Sequence, residues 1–309
     1  MVNNMSARTL LDSRRTFKFK NIEGLFYVAP WIIGFLWLQL FPFLMSLYYS
    51  MTDFALVREP NWVGFQNYIR LFTRDPDFWH SLRVTSIYAF IVVPGVMILS
   101  LIVAMILNMK LRAINLFRTA YYLPSILGGS IAVATLWRVM FMRAGVINQL
   151  IEPLGLGPVD WLGNPDIALF TVSMLSIWQF GSPMVIFLAA LKQVPSSLYE
   201  AARVDGASKL RIFFNITLPM LTPIILFNFV MQFIIAMQEF TSAFIITSGG
   251  PARATWVLGI KLYEDAFRFF RMGYAAALSW IMFIIIAVIT MLVFRSSSAW
   301  VFYEDGGDF

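Results

Sequence analysis

The chain has 309 residues, of which 59% are hydrophobic and 13% charged, against about a quarter charged in soluble domains; this excludes an ordinary water-soluble domain and implies a membrane protein. With no cysteine and a single histidine, His80, it lacks the means for disulfides, thiol nucleophiles, haem attachment or a Cys/His metal cluster, so neither catalytic residues nor a metal site are expected. The net charge of +6 does not point to nucleic acid, because the basic residues cluster beside apolar segments, where they orient a chain in a bilayer.

A bilayer core of about 30 Å takes roughly 20 apolar residues of helix. Six segments qualify: Gly24 to Tyr49, Ile87 to Leu107, Ala120 to Phe141, Ile167 to Leu191, Met220 to Ile246, and Gly273 to Phe294. The expected fold is all-α, a single polytopic transmembrane domain over residues 1–309 with six transmembrane helices. Pro30, Pro42, Pro94, Pro124, Pro183 and Pro223 fall within or beside these spans, so kinks are expected.

The N-terminal tail, residues 1–23, carries Arg8, Arg14, Arg15, Lys18 and Lys20. Ser13 to Lys18 resembles a twin-arginine export signal, but the apolar stretch behind it is long, aromatic and followed by five more, which reads as an uncleaved anchor. Lys110, Arg112 and Arg118 fill the second connection with no acid among them. Short basic connections belong on the cytoplasmic side, which places both termini there. The longer opposite loops include Trp62 to Phe72 and Trp256 to Phe270. Aromatics at helical intervals beside charge suit short helices in the membrane interface, with belt packing and docking of an external protein both open.

Residues 195–219 form a polar interruption between the fourth and fifth spans. Glu200, Ala201 and Ala202 favour helix, Asp205-Gly206-Ala207 stops it, and a second short helix leads to Leu218-Pro219; two small helices joined by a tight hinge are expected. Ser197 and Glu200 also have capping-box spacing. In the fifth span Asn228, Gln232, Glu239 and Ser242 share a stripe no wider than roughly 80° on a continuous helix, with Gln238 beside it. A carboxylate in a span marks a functional position by default. Gln179 stands next to Gly181-Ser182-Pro183, where the fourth span is expected to break. Interhelical hydrogen bonding and an aqueous path both remain open for these amides.

The spacing from Glu200 through Ala207, with Phe213, Ile216, Leu218-Pro219 and Pro223, resembles the EAA coupling loop of binding-protein-dependent ABC importer permeases, in particular the sugar-permease subfamily of the maltose, lactose and glycerol-3-phosphate type. Trp62-Val63-Gly64, Asn67-Tyr68, Phe78-Trp79, Phe117 through Pro124, Ser248 through Pro251 and Phe270 through Ala277 extend the resemblance over about residues 24–303. The resemblance implies a multi-pass subunit of the bacterial cytoplasmic (inner) membrane that imports a sugar or oligosaccharide, is not an enzyme, and binds no cofactor itself. ATP and Mg would sit on a partner ATPase dimer gripping Glu200, Ala201, Ala202, Asp205, Gly206, Ala207, Leu218 and Pro219. A second homologous permease, an external substrate-binding protein and membrane lipid complete the implied partners. Sugar hydroxyls would then meet Glu239, Gln238, Gln232, Asn228 and Gln179, and ring faces would meet Trp137, Trp178 and Tyr122, for which core or belt packing is the simpler account. The rival class is an ion-gradient-driven secondary carrier using Glu239, which would not need the EAA loop and shows no inverted pair of broken spans. A membrane-embedded hydrolase has no His or Cys pair or clustered acids to support it.

Overall fold

The computed structural model describes residues 22–55, 58–109 and 113–302. The basic tail (Arg8, Arg14, Arg15, Lys18, Lys20) and the connection residues Lys110 and Arg112 lie outside the described residues. Helix is the only extended secondary structure among the described residues, apart from isolated bridges pairing Thr52 with Trp62 and Ala55 with Arg58.

Three helices are long and apolar enough to cross a membrane alone. The first runs Phe26–Ser50 and comprises α1 (Ile22–Phe35), a π-helical turn at Leu36–Leu40 and α2 (Phe41–Ser50). Pro42 cannot donate a backbone bond to the preceding turn, which is where the hydrogen-bond ladder slips. After α3 (Gln66–Arg74) comes α4 (Pro76–Leu107), 32 residues long. At 1.5 Å per residue it spans about 48 Å, well beyond the Ile87 start expected from hydropathy. Its start is fixed by Asp75, whose carboxylate accepts from the amides of Asp77 and Phe78. The last long helix is α16 (Met272–Ser297).

The other apolar segments are bent pairs. Helices α5 (Ile114–Leu127) and α6 (Ile131–Met140) meet at 103°. The break falls at Gly128-Gly129-Ser130, where Gly129 has φ +66 and the Ser130 hydroxyl accepts from Ala132 N to cap α6. After α7 (Val146–Ile151), α8 (Pro165–Trp178) and α9 (Gly181–Gln193) meet at 46° across Gln179-Phe180, beside the expected Gly-Ser-Pro break. Then come α10 (Ser196–Val204), α11 (Lys209–Ile212), a π turn at Phe213–Thr217 just ahead of Pro219, and α12 (Leu218–Met220). The segment Lys209–Met220 meets α13 (Thr222–Met237) at 66°. The bundle has six crossings if each bent pair is one span.

The expectation of one continuous helix from Met220 to Ile246 is corrected. Helix α13 stops at Met237, Gln238 to Phe240 leave the helix, and α14 (Thr241–Thr247) begins afresh. Helix α15 (Leu258–Tyr263) and a π turn at Glu264–Arg268 lead into α16.

Helix α4 is the axis of the packing, touching α8, α9 and α13. Its Tyr88, Val92, Val93 and Val96 enter the main core with Met184, Phe187 and Ile246. A second cluster at one end joins Leu71, Phe78, Leu258, Tyr274 and Leu278. The first span packs through α2 on α16, and none of its most apolar 18-residue stretch is buried.

Candidate functional site

A cavity of about 400 Å³ opens where the breaks in the α8–α9 and α13–α14 segments face α4 and the α5–α6 bend. Its wall includes Tyr88, Ser125, Ser176, Gln179, Ser182, Gln232, Gln238, Glu239, Thr241 and Ser242. A helix that ends inside a bundle exposes backbone groups and draws polar side chains to satisfy them. The amides and hydroxyls therefore gather at the breaks.

Glu239 shows how one break is held. Its Oε1 accepts from Ser242 N at 2.7 Å and Ala243 N at 3.3 Å, so the side chain caps the start of α14. Its Oε2 accepts from the Tyr88 hydroxyl at 3.2 Å, which also meets Ser176 Oγ at 2.6 Å. One carboxylate at the end of α13 thus holds α14 and α4, and through Tyr88 reaches α8, while lining the cavity. On the other side Gly259 packs against the break, where a Cβ would sit 2.4 Å from the Glu239 carbonyl oxygen.

Of the expected path residues, Gln179, Gln232, Gln238 and Glu239 come together on this wall. Asn228 does not: it is 1% exposed and its Nδ2 has no hydrogen-bond partner, because it lies a turn deeper, where α13 packs against α4 and α16. The aromatics also lie elsewhere. Trp137 donates its indole N–H to the Thr171 carbonyl and stacks on Phe141, Trp178 lines a separate apolar groove with Tyr121, Leu123 and Phe180, and Tyr122 is outside the cavity wall. Ser182 of the Gly-Ser-Pro break is on the wall, and so are Tyr88, Ser125, Ser176 and Thr241, which carried no distinguishing signal, since single hydroxyls in spans are ordinary.

The segment 195–219 forms a compact helix-turn-helix. Helix α10 starts at Ser196 behind Pro195, with no side-chain cap, so the capping box expected of Ser197 and Glu200 does not form; proline fixes the turn instead. At the other end Ala207 N donates to Ala202 O and Gly206 N to Arg203 O, with Gly206 at φ +73. This is the left-handed C-terminal cap that glycine serves best. The Tyr199 and Thr217 hydroxyls bond across the hairpin at 3.2 Å. Glu200, Ala201, Asp205 and Gly206 are exposed, as are Leu198, Val204, Leu210 and Phe214, whereas Ala202, Ala207, Leu218 and Pro219 are half-buried. An apolar surface rimmed by charge on a folded hairpin is the anatomy of a docking surface.

Near the opposite end of α4, Lys261 is buried between Asp75 at 2.7 Å and Asp265 at 3.1 Å, and the Tyr274 hydroxyl donates to Asp75. Burial works to raise the Asp75 pKa, but the hydrogen bonds from Lys261 and Tyr274 outweigh it and hold the carboxyl below its ordinary value. Burial pushes the Asp265 carboxyl up, against the pull of Lys261.

An α-helical membrane bundle with a polar cavity at fractured spans and a protruding helical hairpin defines a transport component rather than an enzyme. The chain belongs to the family described as binding-protein-dependent transport system inner membrane component, whose model matches residues 78–301. It is 46% identical over 297 residues to the probable ABC transporter permease protein YesP of Bacillus subtilis (95% of this chain, 96% of that one). It is 34% identical to the lactose transport system permease LacF of Rhizobium radiobacter (91% and 95%), and 30% identical to the trehalose/maltose transport system permease MalF of Thermococcus litoralis (92% and 98%). The fold is shared with a chain in the crystal structure of a bacterial alginate ABC transporter in complex with an alginate pentasaccharide-bound periplasmic protein, at TM-score 0.78 and 22% identity over 91% of this chain and 96% of that one.

Proposed function

We propose that this chain is one of two homologous permease subunits of an ATP-driven importer for a sugar or oligosaccharide, and that it contributes half of the translocation path. The observation that carries the reading is the cavity at the breaks, rich in amides and hydroxyls, in a chain of the binding-protein-dependent family. Gln179, Gln232, Gln238 and Glu239 offer donors and acceptors to hydroxyls, and Asn228, Trp137, Trp178 and Tyr122 are left to packing roles.

The exposed face of α10 and α11, through Glu200, Ala201, Asp205, Gly206 and their half-buried neighbours Ala202, Ala207, Leu218 and Pro219, docks on a separate ATPase dimer that holds ATP and Mg. This chain binds neither. Residues 1–309 act as one transmembrane domain of six crossings with both termini and the hairpin cytoplasmic, and an external binding protein delivers the substrate to the opposite face. Closure of the ATPases moves the hairpin as a rigid lever and switches the access of the cavity.

Reconstitution into proteoliposomes tests the reading. Uptake should require ATP, the ATPase, the second permease and the binding protein together. Uptake that persists with an ion gradient and no ATPase would replace it with a secondary carrier.

A further inference from the structure

Two cavities of about 330 Å³ and 800 Å³ flank helix α3, and Arg70 and Arg74 line both. The carboxylates of the smaller one all have cationic partners: Asp77 with Arg253, Asp75 and Asp265 with Lys261, and Glu264 with Arg268. In the larger one Asp53 is hydrogen-bonded to Asn61. Arg70 and Arg74 have no carboxylate within 4.0 Å among the described residues. Both are exposed. Four residues apart, they lie on one face of the helix.

The mount is rigid. Leu71 is fully buried, the Tyr68 hydroxyl bonds Ser50 at 2.7 Å, and the Asn67 amide donates to the Ser50 and Thr52 carbonyls. The Arg70 guanidinium stacks over the Tyr274 ring at 5.2 Å. Phe65, Ile69 and Phe72 are exposed as well, but at about 100° per residue they occupy the other side of the helix. Arginine is among the residues enriched at interface hot spots, and a preorganised mount lowers the cost of binding.

We propose that Arg70 and Arg74 form a docking site for an acidic, protruding face of the external binding protein, with carboxylates entering the two cavities to pair with both guanidinium groups. This rests on the importer reading, which puts α3 on the external side. Unneutralised charge supplies the complementarity and steers the encounter. The concave walls favour side chains that project from a protein over the flat phosphate plane of a membrane.

The test uses the complete transporter in nanodiscs, in zwitterionic and in anionic lipid, with the binding protein that stimulates ATP hydrolysis by the wild type as probe and poly-L-glutamate as competitor. The double variant Arg70→Glu/Arg74→Glu should weaken binding about tenfold or more at low salt in both lipids and flatten its salt dependence. Arg70→Gln/Arg74→Gln should give a smaller loss in the same direction. Poly-L-glutamate should compete with the wild type and not with the reversal variant. Basal ATP hydrolysis should match the wild type in both variants. Unchanged affinity overturns the proposal, and a loss confined to anionic lipid overturns it in favour of a headgroup contact. A wild-type complex that no binding protein stimulates would sink the importer reading instead.

Discussion

Glu239 caps α14, and on the proposed reading it also meets substrate; conservative and disruptive substitutions separate the two roles. Glu239→Gln keeps an acceptor for Ser242 N and Ala243 N, so thermal stability of the purified complex should stay near wild type while uptake falls. Glu239→Leu orphans both amides, leaves the Tyr88 hydroxyl with Ser176 alone, and should cost about 1–3 kcal/mol, seen as a lower melting temperature. Full uptake by Glu239→Gln would show that its charge is dispensable for transport. At Gly206, φ is +73, and a β-branched side chain there is strained by about 1–2 kcal/mol. Gly206→Val should therefore assemble yet lose substrate-stimulated ATP hydrolysis, and normal stimulation would remove the hairpin from coupling. Glu239 stood out in the sequence because a lone carboxylate in an apolar run is conspicuous. Its partner Tyr88 did not, since one tyrosine in a chain with 17% aromatics carries no mark.

Among elements, the straight helices were legible from hydropathy and the breaks only in part. Gly128-Gly129 and Gly181-Ser182-Pro183 are visible punctuation, but the break at Gln238 to Phe240 contains neither glycine nor proline. It exists because a side chain replaces the backbone as acceptor and α15 buttresses it from outside, both tertiary facts. Of the stripe, Gln232, Glu239 and Ser242 reach the cavity wall despite the break, whereas Asn228, on the unbroken part of α13, is buried a turn away from it. The Lys261 cluster joins the corner between α3 and α4 to that between α15 and α16, and its spacing is equally invisible along the chain. Lys261→Met takes the close cation from half-buried Asp75 and from buried Asp265, which keeps only Arg271 at 3.9 Å, and should cost about 3–5 kcal/mol, measurable by thermal unfolding. The two acids respond oppositely to pH. Asp75, held below 3.8, loses its stabilising contribution as pH falls through that depressed value. Asp265, pushed above 3.8, favours the folded state at low pH and loses that contribution as pH rises through its raised value. Melting temperatures taken from about pH 7 to about pH 3 should thus fall more steeply for Asp265→Asn than for the wild type.

For the whole molecule, orientation follows from the proposed cytoplasmic hairpin, and the lack of native cysteine makes the check clean. An impermeant thiol reagent on intact cells should label Asp160→Cys and spare Ser208→Cys, and the reverse pattern would invert the topology. The Asp77–Arg253 ion pair already sets the start of α4 and the loop before α15 on one end of the bundle. The cavity wall has a further consequence. Gln179 and Gln238 stand where helices have stopped, so neither contributes to the apolar packing around α4. Gln179→Ser and Gln238→Ser should leave the melting temperature within about 0.5 kcal/mol equivalent of wild type while altering which solutes compete for uptake. On the proposed reading, mutational drift at such positions can retune cargo preference without first eroding foldability, whereas Glu239, which caps α14 and bonds Tyr88 of α4, resists it. A lineage built on this plan would diversify its diet along the fractures and keep its scaffold unchanged.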